Sequence, residues 1–311
     1  MINYFLKRIL NASLVVFGVL IITFILVYII PGDPTSTFIG QYADRDTIEA
    51  LKQEWGLNKP ILQQFLTYLL HTLHGDLGKS YFTQIPVLHS ILSRLPVTFL
   101  LALMAILIGA LAGIPIGIFS AIQKDRWYSR TLMNGTILGI SLPVFWAALL
   151  LLLIASKLDT IWPLSQLSPM ALSILLGAIV LGIRPAALIS RLTRTQMLDV
   201  MHQDFVLSAY ARGIHPFKIY LQYAFRNCLS PILSTLALDF GSLLSGAVIT
   251  ETIFGIPGLG KLALSGLGRR DYPVIMGMVL FTALVFVLIN LCVDLTLIAI
   301  NTKLRGTENK S

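Results

Sequence analysis

Long runs without a charged residue dominate this chain. Five runs contain no Asp, Glu, Lys or Arg, and a sixth apolar stretch, from about Pro231 to Thr250, is interrupted only by Asp239. A helix that crosses about 30 Å of hydrocarbon needs roughly 20 successive apolar residues. The pattern therefore predicts an all-α, polytopic membrane protein with about six transmembrane helices. The five uncharged runs are Ile9–Gly32, Leu95–Gln123, Thr131–Ser156, Thr160–Ile183 and Tyr272–Val293.

The first span begins like a secretory signal, because Lys7 and Arg8 precede its apolar run. A signal core is usually about 7 to 15 residues long and ends at a small-x-small cleavage site. This run is longer, and Pro31-Gly32-Asp33-Pro34 follows it. We therefore expect a retained membrane helix.

Composition agrees with a membrane protein, since 56% of residues are hydrophobic, only 12% are charged and the mean hydropathy is +0.80. Soluble domains carry about 25% charged residues. The net charge of +8 is spread over short clusters at helix ends, which argues against nucleic-acid binding. Cys228 and Cys292 lie too far apart in sequence to indicate a disulfide framework or a metal site.

The basic clusters also predict an orientation, because loops rich in Lys and Arg stay in the cytoplasm. Placing both termini inside puts the main clusters on one side of the membrane. These are Lys7 and Arg8; Lys124, Arg126 and Arg130; Arg191, Arg194, Arg212, Lys218 and Arg226; and Lys303, Arg305 and Lys310.

The outer loop, residues 31–94, contains two predicted amphipathic helices. Asp46 with Glu49 resembles a capping box, and Gly56 ends that helix. Pro60 opens the second helix and Gly75 ends it. The second helix is expected on the membrane surface or against the bundle. Its histidines, including those at 71 and 74, have no recognisable third ligand and indicate metal only weakly.

Glycines repeat every fourth residue in the second span, at Gly109, Gly113 and Gly117. Small residues at this spacing predict a face where helices approach closely. A ligand-binding kink at Pro115 is the alternative, and the sequence leaves both open.

Turn residues divide the segment from Asp204 to Pro231. Asp204 is expected to cap a short helix, Gly213 to end it in a left-handed turn, and Pro216 to open the next helix. The short helix carries apolar residues on the cytoplasmic side. They indicate either a protein partner or a helix resting on the inner leaflet.

This segment resembles the cytoplasmic coupling loop of ATP-binding-cassette importer permeases in the peptide and nickel family. That loop runs Asp-aromatic-Val-x-x-Ala-x-Ala-Lys/Arg-Gly, and the chain matches it from Asp204 to Gly213. Further family landmarks are Trp55-Gly56-Leu57, Gly75-Asp76-Leu77-Gly78, Arg94-Leu95-Pro96 and Pro257-Gly258-Leu259-Gly260. Asn301-Thr302-Lys303 departs from the acidic-Pro-Arg step that often ends the family. The coupling residues that the resemblance implies are Asp204, Phe205, Val206, Ala209, Tyr210, Ala211, Arg212, Gly213 and Ile214.

The resemblance implies a type I importer permease for peptides, nickel or metal-chelate complexes, working by alternating access. It implies a distinct second permease in a heterodimer, two cytoplasmic ATPase subunits that use ATP and Mg, and an extracytoplasmic solute-binding protein. No cofactor or enzyme activity is expected in this chain, whose surroundings are the lipid of a bacterial inner membrane. A secondary transporter or channel not driven by ATP is the alternative.

Two further expectations concern charged and glycine-rich positions. Ionisable residues inside spans mark functional sites by default, so Asp239, Glu251 and Asp294 are candidates for the pathway or a gate, and Arg184 shares their setting. The favoured alternative is structural: Glu251 would fix the Pro-Gly turn, and Asp239 and Asp294 would be matched by partners inside the bundle. Gly255–Lys261 has P-loop spacing, but Leu262 replaces the magnesium-binding Ser or Thr, so nucleotide binding is not expected.

The expected domains are a first membrane helix at 1–30, an outer loop at 31–94, a permease core at 95–303 and a cytoplasmic tail at 304–311. Within the core, spans are expected at about 95–123, 131–156, 169–190, 231–250 and 272–299, with the coupling loop at 204–231.

Overall fold

The computed structural model describes residues 2–29, 35, 45–158, 168–245 and 247–300. Across this part of the chain the regular structure is helical, and the β-structure there is one isolated bridge between Lys79 and Pro86. The helices are α1 Ile2–Ile29, α2 Arg45–Glu54, α3 Ile61–Leu73, α4 Val87–Ile122, α5 Trp127–Ser141, α6 Val144–Leu158, α7 Pro169–Met201, α8 Asp204–Ala211, α9 Pro216–Leu244, α10 Val248–Ile253, α11 Leu259–Arg269 and α12 Tyr272–Ile300. The predicted tail, 304–311, and the departure at 301–303 lie outside the described residues.

Five of these helices, α1, α4, α7, α9 and α12, are long and apolar enough to cross a membrane. A sixth crossing is formed only if α5 and α6 count as one span, because the pair bends by 103°. The prediction of about six spans is therefore confirmed in number. The third span, expected at about 131–156, corresponds to this bent pair, α5 and α6.

A proline explains the bend between α5 and α6. Leu142, at the end of α5, has extended backbone with ψ of 124°, and Pro143 follows it. The residue before a proline is disfavoured in the helical region, so helices tend to end there. The uncharged run from Thr131 to Ser156 did not indicate this break, because no charged residue divides it.

Two other predicted span boundaries need correction. The fifth span begins at Pro216 and ends at Leu244, whereas 231–250 was expected. Arg226 interrupts the apolar pattern but not the helix, and Pro231 lies inside it. The fourth span continues to Met201, well past residue 190, because the helix extends through polar residues beyond the end of the apolar run.

The chain divides into two compact units. The first comprises residues 1–98, 245–248 and 257–288. Its core contains buried side chains from α1, α4, α11 and α12. The α3 helix packs on α1, with the Phe24 and Phe65 rings 5.2 Å apart. That contact leaves a stripe of α3 exposed, consisting of Leu62, Leu66, Leu70 and Leu73.

The predicted outer helices exist, but their first residues differ from expectation. Asp46 lies inside the first turn of α2, which begins at Arg45, so it is not the cap of a capping box. Pro60 occupies the cap position of α3 and Ile61 is its first helical residue. Gly56 and Gly75 follow the ends of α2 and α3 with φ of 71° and 80°, as predicted.

A buried hydrogen-bond cluster fastens part of the segment 31–94 within this unit. Ser80 Oγ donates to Asp271 Oδ2 at 2.5 Å, and the Tyr81 amide donates to Asp271 Oδ1 at 3.2 Å. Ser80 Oγ also accepts from the Thr83 amide at 3.0 Å. Both Ser80 and Asp271 are only 3% exposed. Ring stacking of Trp55 on Tyr81, with centroids 4.0 Å apart, extends the cluster.

Replacing Asp271 with alanine should therefore destabilise this unit. The change leaves the Ser80 hydroxyl and the Tyr81 amide without their acceptors, which costs about 1–3 kcal/mol of unfolding free energy for buried groups. Thermal unfolding in detergent measures the effect. Ser93→Ala is the control, because Ser93 is exposed and bonds only within its own turn. Equal stability of the two variants would contradict the importance of this cluster.

The second unit comprises residues 99–244, 249–256 and 289–311. Its core joins α4, α7, α8 and α9 in one buried cluster. The predicted glycine face of α4 packs directly on α7. A Cβ at Gly109 would lie 2.7 Å from Pro185 Cβ, and one at Gly113 would lie 2.6 Å from the Ala186 carbonyl oxygen. The packing-face interpretation is confirmed, and α4 continues as one helix through Pro115.

Candidate functional site

The short helix α8 lies between two long helices, α7 and α9. It begins at Asp204, where an acidic side chain in the first turn favours the positive end of the helix dipole. The prediction that Asp204 caps the helix is wrong. Gln203 occupies the cap position with extended backbone, and its side chain accepts no capping hydrogen bond. The helix ends at Ala211, so Arg212, Gly213 and Ile214 form its terminating turn.

Two faces of α8 have different surroundings. Val206 and Ala209 are fully buried in the core of the second unit, with Ile219 of α9 in the same cluster. Phe205, Leu207 and Tyr210 are 38%, 55% and 39% exposed. The expected coupling residues therefore divide into a packing pair and an exposed apolar face.

Leu207 belongs to that exposed face, although sequence reasoning did not select it. It occupies one of the variable positions of the family pattern, so the match passed over it. The sequence could have indicated Leu207, because it is an apolar residue directly after Val206 on a short helix. The exposed apolar face of α8 is the surface left uncovered around its buried side, and it carries Phe205, Leu207 and Tyr210.

Tyrosine contacts attach α8 to the first turns of α9. Burial, together with the hydrogen bond to Tyr220, raises the pKa of Tyr210 to about 12, so its hydroxyl stays protonated at neutral pH. Residues Ile219–Phe225 of α9 form a π-helical segment at this junction. A π-helical turn inside an α-helix is rare and is frequently found at functional sites.

Gly213 ends α8 in a left-handed turn, as predicted. Its φ is 71°. The Gly213 amide donates to the Tyr210 carbonyl at 2.9 Å, and the Ile214 amide donates to the Ala209 carbonyl at 3.2 Å. This pair of bonds is a Schellman motif, which satisfies the last carbonyls of a helix. The turn sets the angle between α8 and the following Pro216, which takes the first position of its helix as expected.

The pathway candidates have three different settings. Glu251 is fully buried in α10, with its backbone carbonyl accepting from the Ile256 amide at 2.8 Å. It therefore does not offer a surface to an external protein in this structure. Asp239 is half-buried near the end of α9, and the side chain of Asp294 in α12 lies outside the described residues.

Metal and nucleotide sites find no support in the described residues. No group of three or more His, Cys, Asp or Glu side chains there is arranged to hold a metal ion. His71 Nδ1 lies 3.1 Å from Asp76 Oδ2, and His74 Nδ1 lies 2.8 Å from the Leu70 carbonyl. A helix, α10, precedes the Gly255–Lys261 segment where a P-loop would follow a strand.

Models of two protein families match the chain. Residues 113–306 match "Binding-protein-dependent transport system inner membrane component", and residues 1–102 match the N-terminal region of membrane components of such systems. Together they cover the chain except residues 103–112 and 307–311, and they include the loop that carries α8.

Curated relatives match over nearly the whole chain. The glutathione transport system permease protein GsiC of Pectobacterium atrosepticum is 36% identical over 305 residues, covering 98% of this chain and 99% of its own. The dipeptide transport system permease protein DppB of Escherichia coli K12 is 33% identical over 336 residues, with the same coverage.

A solved structure shares the fold. The MetNI methionine ABC transporter, in inward-facing conformations, aligns with a TM-score of 0.56 and 17% sequence identity. The match covers 69% of this chain and 97% of that one. The shared part has the helical architecture of a type I importer permease, which agrees with the fold expected from the sequence.

Proposed function

Because this chain belongs to the family of binding-protein-dependent transport system inner membrane components, we propose that it forms half of a peptide-transporting pathway in an ATP-driven importer. It is a multi-pass inner-membrane permease subunit. The observation that carries the proposal is α8, a short helix with a buried packing pair, an exposed apolar face and a glycine-set end. Both of its termini connect directly to membrane-crossing helices, so a push on α8 moves α7 and α9.

Energy in this proposal comes from other subunits. Two cytoplasmic ATPase subunits hydrolyse ATP with Mg, and the exposed face of α8 docks into a groove on one of them. Phe205, Leu207 and Tyr210 supply the apolar contact. Closure of the ATPase pair then rocks the attached helices, which is the rigid-body route to alternating access. A homologous second permease completes the pathway, and an external binding protein delivers the solute.

Peptides are the cargo that the relatives favour. Their names specify glutathione and a dipeptide, and both solutes are small, flexible and zwitterionic. Nickel and metal-chelate complexes, which the family resemblance also implied, receive no support from the described side chains. The proposal places both termini in the cytoplasm, which puts α8 on the side of the ATPase subunits.

An uptake assay tests the proposal. Proteoliposomes that contain the complete transporter, with ATP trapped inside and the binding protein outside, are offered labelled dialanine or glutathione. Uptake should require ATP and should persist when a protonophore collapses the proton gradient. A secondary transporter would lose uptake with the gradient and would work without the ATPase. Uptake that stops when the gradient collapses, or uptake that needs no ATPase, would overturn the proposal.

A further inference from the structure

The leucine stripe of α3, which is Leu62, Leu66, Leu70 and Leu73, is left uncovered by the described part of the chain. These side chains are 70%, 48%, 58% and 73% exposed. They follow one another at intervals of four, four and three residues, which places them on one side of the helix. A contiguous exposed apolar surface marks a site of contact with protein or with membrane.

The contact of α3 with α1 places it beside the end of a membrane span. The Phe24 ring of α1 lies 5.2 Å from the Phe65 ring and 6.5 Å from the Tyr68 ring. The span within α1, Leu10–Val27, ends three residues after Phe24, or about 4.5 Å further along the helix at 1.5 Å per residue. Since Phe65 and Tyr68 belong to the middle of α3, the whole helix lies near the level where the hydrocarbon layer ends.

The circumference of α3 divides into three sides. One side packs on α1 through Phe65 and Tyr68, and the second side is the leucine stripe. The third side is exposed and polar, and it carries Gln63, Thr67, His71 and His74. At 3.6 residues per turn, these sides are each separated by about a third of the circumference. With one side held against the span, α3 can therefore direct its leucines to lipid and its polar side chains to water.

The composition of the stripe favours lipid over a protein partner. The α3 sequence contains no Asp, Glu, Lys or Arg, and the stripe itself is entirely leucine. Residues that contribute most to protein interfaces are enriched in Trp, Tyr and Arg, whereas leucine is under-represented among them. Helices that lie on membranes instead bury leucine and aromatic side chains at the boundary between headgroups and acyl chains.

From this arrangement we propose that α3 is an interfacial helix, whose leucine stripe is immersed in the lipid beside the end of α1. The polar side that carries Gln63 and Thr67 faces water, and the Phe65 side holds the helix against the span. In this position α3 fastens the segment 31–94 to the membrane surface. This role depends neither on ATP nor on the cargo, so it stands apart from the proposed transport function.

Nitroxide labels on single cysteines measure what surrounds each side of α3. Each leucine of the stripe is replaced by cysteine, one at a time, in a C228A/C292A background. The complete transporter, with partner subunits that lack reactive cysteines, is reconstituted in phosphatidylcholine vesicles. Oxygen concentrates in hydrocarbon and a nickel chelate stays in water, so the ratio of their collision rates with the label distinguishes lipid from water. The stripe labels should give a ratio at least about threefold higher than the matched controls Q63C and T67C, which lie on the polar side of the same turns.

Two further changes test whether apolar contact alone holds α3 in the membrane. Because α3 has no acidic or basic side chain of the Asp, Glu, Lys or Arg type, adding phosphatidylglycerol to the vesicles should alter the ratios by less than about twofold. In L66Q/L70Q, the ratio at an L62C label should fall at least about twofold, since two of the four immersed leucines are lost. Q63A/T67A is the control and should leave that ratio unchanged.

Three results would overturn the proposal. Stripe labels that meet the nickel chelate as readily as the polar controls would place the stripe in water. Labels that neither reagent reaches would place it against protein, either the second permease or another copy of this chain. A high ratio found only in vesicles with phosphatidylglycerol would show that charge, and not the leucine stripe, holds the helix. Agreement among the four positions, at normal levels of reconstituted protein, excludes a single label that disturbs the fold.

Discussion

Replacing Gly213 with valine is expected to abolish uptake while ATP hydrolysis by the complete transporter continues. Gly213 has φ of 71°, a region that costs other residues roughly 1–2 kcal/mol and β-branched residues more. No atom lies within 4 Å of a Cβ built there, so the penalty is one of backbone conformation and not of space. Relief of that strain breaks the turn that sets the direction of α8.

Uptake of labelled dialanine and ATPase activity, measured on the same proteoliposomes, check this result. We expect uptake to fall at least about tenfold, since about 1.4 kcal/mol corresponds to a factor of ten. Gly213→Asn is the matched control, because asparagine tolerates the left-handed region better than valine. Its uptake should stay nearer to that of the unmodified protein. Normal uptake by the valine variant would remove the coupling role from α8.

Adding one methyl group to the glycine face of α4 should destabilise the second unit strongly. In Gly113→Ala the new Cβ would lie 2.6 Å from the Ala186 carbonyl oxygen and 3.2 Å from its Cα. Gly117→Ala meets the Ser190 carbonyl and Thr193 Cβ, each at 2.6 Å. Backbone atoms cannot rotate out of the way as a flexible side chain can, so α7 would have to shift away from α4. Overpacking of this kind costs about 1–3 kcal/mol.

Gly135→Ala provides the opposite expectation for the same change. Gly135 is also helical, in α5, but nothing lies within 4 Å of its Cβ position. Alanine there should raise stability by roughly 0.5–1 kcal/mol, since glycine is the weaker helix former. Thermal unfolding of the three variants in detergent measures the difference. A Gly113→Ala variant that is as stable as Gly135→Ala would show that α4 and α7 do not pack this closely.

Features that depend on neighbouring residues were predictable from the sequence. Uncharged length predicted the crossing helices, the four-residue glycine spacing predicted the α4 face, and Gly213 predicted the end of α8. Each of these signals is local: apolar length, helical period and backbone conformation act within one element. The family pattern assigned the proposed coupling role to α8 for the same reason, since its residues are adjacent.

Features that depend on distant contacts, or that a local pattern hides, were not predicted. The bend at Pro143 lies in an uncharged run, where apolar length hides the break. The start of α9 at Pro216 was not predicted, because Lys218 and Arg226 belong to a basic cluster that indicated a loop there. The division of α8 into a buried pair and an exposed face depends on packing against Ile219. The buried cluster of the second unit also joins residues far apart in sequence, such as Ile189 of α7 and Ile232 of α9.

No atom lies within 4 Å of a Cβ at Gly213. What position 213 accepts therefore depends on the handedness of the residue and not on its size. A mirror-image residue prefers positive φ for the same steric reason that an ordinary residue avoids it. D-alanine introduced at position 213 by semisynthesis should therefore be accepted, whereas L-alanine strains the turn. The D-residue would also have fewer conformations than glycine in the unfolded chain. Chirality alone, at constant size and composition, would then decide whether α8 keeps its direction.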